Sequence, residues 1–465
     1  MKKIALLFIL LWLKADVAFS QNSPLLNNNN IYRIYEDQYS DLLKTRGVPN
    51  DDITNLLKNY GTNQLNSDSA FAHLLQQLYS RERGIGLLFY FFNNDTLRRA
   101  YFRPGELIEV KYIPIKRANL LQLGADINQS LNLYEMSENR SPQLRGNEVL
   151  FMPTRKITFK TAIKNATEIL IPANFDLNTK HLLIVPALNI GTIPFHLLQP
   201  YKNQTHLIER CSFTIVPSLI DLVGLRTKVL KKENMGWDDG KLPSSFDGVS
   251  SFSLVDKKKF LFKNPLFVSN PVYPSDSFFV FPPLPGAERE INAVKQYAPK
   301  YVLLKGAEAH KVAVLKNLKT ADVAYFATHG IADQDDPMGK SFLVLSGSSP
   351  YLTAKEIMGL RSSFTNLPEL VILSACQTGL GKSMEAGTAG LARSFLLGGS
   401  MHVIMSLWNV DDDATAYLMS RFVYHLQTPH RFMPAEPLRL AVLDCKKIYK
   451  NPAQWASFSL IGIDY

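Results

Sequence analysis

Residues 370–381 read Leu-Val-Ile-Leu-Ser-Ala-Cys-Gln-Thr-Gly-Leu-Gly, an apolar run of strand length that ends on Cys376. A second run of the same kind, Asp-Val-Ala-Tyr-Phe-Ala-Thr-His-Gly over 322–330, ends on His329. The separation, 376 − 329 = 47 residues, accommodates one strand–helix unit and a loop. Strands joined by such crossovers lie parallel with their C-terminal ends on one edge, where open α/β sheets carry their chemistry. A thiol beside an imidazole is a nucleophile with its base. Gly330 allows a backbone N–H to turn into such a site, so Gly330 and Cys376 are candidate donors to an oxyanion. The pair predicts cysteine-dependent peptide-bond cleavage that needs no metal and no cofactor.

Outward from these two strands, helical and strand patterns alternate. Before them come helix 156–170, strands 181–186 and 207–216, helix 219–229, strand 266–269, helix 287–297, strand 301–304 and helix 309–316. After His329 follow a hairpin-like 342–345, helix 353–360, the Cys376 strand, helix 387–397, strand 402–406, helix 414–426 and a last strand, 457–461. This alternation predicts an α/β domain with a mainly parallel central sheet covered on both faces. Ahead of it, 32–82 carries helical spacing broken near Val48-Pro49-Asn50, and 87–113 reads as a hairpin with a third strand. No repeat of about 34 residues is present, so no helical-repeat array is encoded. The stretch 230–264 is polar and aperiodic, the best candidate for an exposed, cleavable loop. The resulting organisation is a leader at 1–20, a helical segment at 21–84 and a large domain at 85–465, with its catalytic core at about 264–465.

Other candidate motifs carry less. Residues 376–383, Cys-Gln-Thr-Gly-Leu-Gly-Lys-Ser, mimic a phosphate-binding loop after a strand. Cys376 stands where that loop needs a glycine to turn around the phosphates, and no clear acidic strand end supplies a magnesium ligand. His73, His181, His196, His206, His310, His402, His425 and His430 show no metal-ligand spacing. Asp411, Asp412 and Asp413 fit two roles: capping the helix that follows, or lining an acidic pocket for a basic side chain. Asp333, Asp335 and Asp336 are weaker candidates for that pocket. Cys211 and Cys445 read as small buried hydrophobes, since three cysteines make no disulfide framework.

The chain has 465 residues, 46% hydrophobic and 20% charged, enough for two or three domains or one large α/β domain with additions. Its net charge of +10 is scattered, with no aromatic-interleaved basic stripe, which argues against a nucleic-acid partner. Met1-Lys2-Lys3, the apolar Ile4–Leu13 and Ala18-Phe19-Ser20 ahead of Gln21 read as a secretory signal peptide. Its removal leaves a net charge of about +8. No later run reaches the length of a membrane span. The expectation is an exported protein, periplasmic or secreted, with a protein or peptide substrate and a regulatory protein partner.

The ordered series of motifs resembles the CHAT-domain family, caspase-like cysteine peptidases related in fold to separase and gingipain. It comprises Leu183-Ile-Val-Pro186 with Ile193-Pro-Phe195, Leu284-Pro-Gly-Ala-Glu-Arg-Glu290, Ala327-Thr-His-Gly330, Leu373-Ser-Ala-Cys-Gln-Thr-Gly379, Gly387–Phe395, Val403–Trp408 with Asp412 and Thr415, and Trp455–Gly462. The resemblance covers roughly 85–465. It implies a caspase-like three-layer sandwich preceded by a short helical segment and a small β-hairpin region. It also implies His329 as base, Cys376 as nucleophile, and the N–H groups of Gly330 and Cys376 as oxyanion donors. Asp412 matches the acidic position with which relatives hold a basic residue before the cleaved bond. Relatives commonly act as partner-regulated proteases beside helical repeats, from which this chain departs by its short helical segment. The alternative is a non-catalytic CHAT-fold interaction or signalling module.

Overall fold

The computed structural model describes residues 31–32, 34–35, 67–79, 83–131, 143–144, 157–232, 262–275, 279–333, 339–362, 367–374, 387–408, 411–428, 430 and 433–463. The leader at 1–20, the break near 48–50, most of the loop at 230–264 and Cys376 itself lie outside the described residues. Helix α1 (Asp68–Leu78) precedes a meander of β1 (Ile85–Asn93), β2 (Thr96–Arg103) and β3 (Glu106–Pro114). Then come α2 (Arg117–Ser130), β4 (Gln143–Leu144), α3 (Phe159–Leu170), β5 (His181–Val185), β6 (Ser212–Ile215) and α4 (Leu219–Lys232). The middle of the chain forms β7 (Leu266–Pro271), β8 (Phe279–Val280), α5 (Pro285–Lys295), β9 (Val302–Gly306), α6 (Lys311–Leu318) and β10 (Val323–Ala327). Short strands β11 (Gly330–Ile331), β12 (Phe342–Val344) and β13 (Tyr351–Thr353) lead into α7 (Ala354–Gly359). The last part is β14 (Leu370–Leu373), α8 (Gly387–Gly398), β15 (His402–Ser406), α9 (Asp412–Leu426), α10 (Ala435–Ile448), α11 (Pro452–Trp455) and β16 (Phe458–Gly462).

Eleven strands form the main sheet, in the order β3-β2-β1-β5-β6-β16-β15-β14-β10-β7-β9. Pairing is parallel except within the meander and between β15 and β16. Every residue of β5, β6, β10, β14, β15 and β16 is buried, as continuous apolar strands require when helices cover both faces. The central sheet is therefore the one the alternation predicts. The meander is the small hairpin region expected ahead of the central strands, and the structure adds how it is attached. Strand β1 pairs in parallel with β5 from Ile85↔His181 to Phe89↔Val185, so the hairpin is the edge of the same sheet. Its run Ile-Gly-Leu-Leu-Phe-Tyr-Phe is buried throughout, which a free hairpin with one wet face cannot provide.

Local chemistry fixes the joints. The Thr353 hydroxyl accepts from the N–H of Glu356, whose carboxylate accepts from the Thr353 N–H, a capping box on α7. Gly462 has φ +136°, and a Cβ there would lie 2.3 Å from the Met401 carbonyl oxygen, so only glycine lets β16 close against the start of β15. At the far end, the Tyr32 hydroxyl donates to Asp68 at 2.8 Å, and Arg98 clasps the same carboxylate at 2.5 and 2.7 Å. This buried, paired carboxylate ties the residues before α1 to β2.

Candidate functional site

Strand β10 ends two residues before His329 in the sequence, strand β14 ends three residues before Cys376, and the two strands are neighbours. Their ladder pairs Val323 with Leu370 through Phe326 with Leu373, an offset of 370 − 323 = 47 residues. That offset equals the separation of His329 and Cys376 in the sequence. The last described residue before the cysteine is Ser374.

Backbone and ring of His329 are both held. The Thr328 hydroxyl donates to the Val344 carbonyl at 2.6 Å, and the Val344 N–H donates to the His329 carbonyl at 2.9 Å, so β12 fixes the end of β10. The imidazole Nε2–H donates to the Pro282 carbonyl oxygen at 2.7 Å. Pro282 is steadied in turn by Leu284, whose N–H donates to Asn270 Oδ1 at 3.0 Å. With Nε2 carrying the proton, Nδ1 is the basic nitrogen, and it has no hydrogen-bond partner among the described residues. The ring packs against both Tyr273 and Phe281, with centroids 4.7 and 5.6 Å away, and is fully buried. Burial lowers its pKa to about 4 from 6.5, against the opposing pull of the Pro282 carbonyl. Gly330, next in the chain, pairs with Leu343 in the three-stranded sheet β11-β12-β13 and is buried.

The aspartates divide their roles. Asp411 caps α9, accepting from the N–H groups of Asp413 and Ala414 at 3.0 and 3.1 Å. Asp412 and Asp413 receive the two arms of the Arg289 guanidinium at 3.0 and 2.9 Å. Asp412 is thus engaged by a residue of α5, with 23% of its side chain exposed. Its carboxyl carbon lies 1.9 Å from where a Cβ on residue 286 would stand, so Gly286 is what admits it. Among the described residues no cluster of three metal-ligating side chains exists, and no helix is long and apolar enough to cross a membrane.

Sequence reasoning missed three groups that shape this site: the Pro282 carbonyl, Asn270 and Glu290. A backbone carbonyl carries no side-chain signature, and nothing in the pattern aims Asn270 at Leu284. Glu290 is buried on α5, accepts a short hydrogen bond from the Tyr325 hydroxyl and is hydrogen-bonded by Ser374. The motif Leu284–Glu290 is the one sequence signal that reaches it.

The model of the CHAT domain matches residues 160–463. Tetratricopeptide repeat protein 28 of Homo sapiens is 25% identical over 323 residues, 61% of this chain and 12% of that protein. Its Mus musculus counterpart is 24% identical over 322 residues, again 61% and 12%. The match therefore spans about an eighth of those relatives' length. Among solved structures, the Arg-specific cysteine proteinase gingipain R aligns over 65% of this chain and 67% of its own, at 12% identity and TM-score 0.38. The Saccharomyces cerevisiae separase–securin complex aligns over 89% of this chain and 32% of the other, at 14% identity and TM-score 0.48.

Proposed function

Because the chain belongs to the CHAT-domain family, we propose that it is a cysteine endopeptidase with Cys376 as nucleophile and His329 as base. The observation that carries this reading is the state of the imidazole: Nε2 is held by a third group, the Pro282 carbonyl, and Nδ1 has no hydrogen-bond partner among the described residues. A base oriented from behind, with its acceptor nitrogen unused, is what a neighbouring thiol needs. The β10–β14 ladder offset of 47 supports the same pairing, since it equals the separation of His329 and Cys376 in the sequence.

In the proposed reaction Nδ1 takes the Cys376 proton and the thiolate attacks a peptide carbonyl. The Gly330 and Cys376 N–H groups receive the oxyanion. The Pro282 carbonyl faces the Nε2–H of the imidazolium, whose Nδ1–H then protonates the leaving amine. Water, deprotonated by Nδ1, finally hydrolyses the thioester. Asp412 is the proposed recognition group for a basic residue before the cleaved bond, and 1–20 the proposed export signal. Proteins and peptides are the substrates, under control of a regulatory protein partner.

A second reading is a non-catalytic interaction or signalling module of the same fold. The complete burial of His329, the engagement of Asp412 by Arg289, and the likeness to relatives named for tetratricopeptide repeats favour it. One experiment separates the two: labelling of the protein by an arginine-containing thiol-directed electrophile, read by mass. Modification of Cys376 that is lost in both Cys376→Ala and His329→Ala supports the peptidase. Modification indifferent to His329, or none across a library of electrophilic peptides, supports the module.

A further inference from the structure

Glu290 stands outside the proposed reacting pair, yet the residue is only 5% exposed, on the inward side of α5. Burial raises its pKa to about 7, and the nearby negative charge of Asp412 adds to this. Both of its hydrogen-bonding partners belong to the two site strands. The Tyr325 hydroxyl, on β10 four residues before His329, donates to Oε1. The Ser374 side chain, one residue past the end of β14, is the second hydroxyl that hydrogen-bonds Glu290. Tyr325 pairs with Ile372 in the β10–β14 ladder, so the three groups bridge the two strands just below their tips. The stretch from Pro282 to Glu290 also supplies the carbonyl that orients His329 and the guanidinium that holds Asp412.

We propose that Glu290 is a positioning residue: through Tyr325 and Ser374 it sets the height and spacing of the ends of β10 and β14, the strands that precede His329 and Cys376 in the chain, relative to the segment that orients His329. This rests on the peptidase reading, which names the pair being positioned. A hydrogen-bonded carboxyl between two strand tips limits their relative sliding, and a misplacement of ~1 Å between reacting groups costs on the order of a hundredfold in rate. The Tyr325 hydroxyl and the Ser374 hydroxyl satisfy the buried carboxyl, which otherwise carries a large desolvation cost.

The test is the rate of Cys376 alkylation by iodoacetamide across pH, read by peptide mass in wild type, Glu290→Gln, Ser374→Ala and the double variant. Cys211 and Cys445, both buried, serve as internal controls. The expected result is about a tenfold slower Cys376 reaction in each single variant, no further loss in the double, and unchanged protection of both controls. Unchanged Cys376 rate and pH profile in Ser374→Ala overturns the proposal. So does equal loosening of all three cysteines in both single variants, which would make the network a fold support only. The peptidase reading fails separately, by His329→Ala leaving the Cys376 rate unaltered.

Discussion

The Nε2 of His329 lies 2.7 Å from the carbonyl oxygen of Pro282, and this contact decides which imidazole nitrogen is left to act. The carbonyl accepts only from a protonated nitrogen, so the basic lone pair sits on Nδ1 at the tip of β10. Tyr273 and Phe281 pack against the ring, which is fully buried.

Acid should destabilise the fold through this histidine. Burial lowers its pKa to about 4, so the folded protein favours the neutral ring. The stabilisation is fully present above the unfolded value of about 6.5 and is lost as pH falls through 4, a total of about 3 kcal/mol. Urea unfolding of His329→Gln should lack this part of the decline between pH 7 and 4. An identical decline in the variant would refute the assignment.

The buried pair Asp221–Arg393, at 3.0 Å, joins the start of α4 to α8, the helix that follows the Cys376 segment. Tyr35 is part of the same joint, its hydroxyl accepting from the Leu219 N–H at 3.3 Å. Arg393→Met strands a buried carboxylate and should cost about 3–5 kcal/mol. Adding Asp221→Leu should restore much of that loss, measured as the denaturant midpoint. Additive losses would argue against a paired joint.

Gly286→Ala should prise α5 from α9, because its Cβ would lie 1.9 Å from the Asp412 carboxyl carbon. Overpacking of this kind costs about 1–3 kcal/mol. In an Asp412→Ala background the same substitution should cost clearly less. Thermal unfolding of the four proteins reads the difference, and equal costs in both backgrounds would contradict the contact.

Arg289 occupies the carboxylates proposed to recognise a basic substrate residue. Arg289→Ala should therefore raise the ratio of labelling by an arginine probe over a leucine probe, and Asp412→Asn should lower it. The two are compared by the time course of modification in parallel reactions. A ratio that stays constant in both variants removes Asp412 from the recognition site.

Much of the central architecture was legible because buried parallel strands are written as uninterrupted apolar runs. Leu370–Leu373 and His402–Ser406 are read directly, and α9, which follows the second, carries an Asp411 cap and an apolar face. The edge of the sheet was less legible. Residues 87–113 have the pattern of a hairpin, but whether a hairpin stands alone or extends a sheet depends on β5, about 90 residues away, offering its edge to β1.

The sequence by itself determined which residue types end the β10 and β14 runs, and how far apart they lie. It also determined the apolar strands that make a buried sheet and the aspartates that begin α9, since these are local matters of spacing, solvation and capping. Only the tertiary structure decided that Pro282 holds the imidazole, that Arg289 holds Asp412 and that Glu290 is shared with Tyr325 and Ser374. Each of these contacts joins atoms from distant elements, one through a backbone carbonyl, and their geometry follows from how α5 packs against the sheet and α9. Local pattern holds no record of that packing.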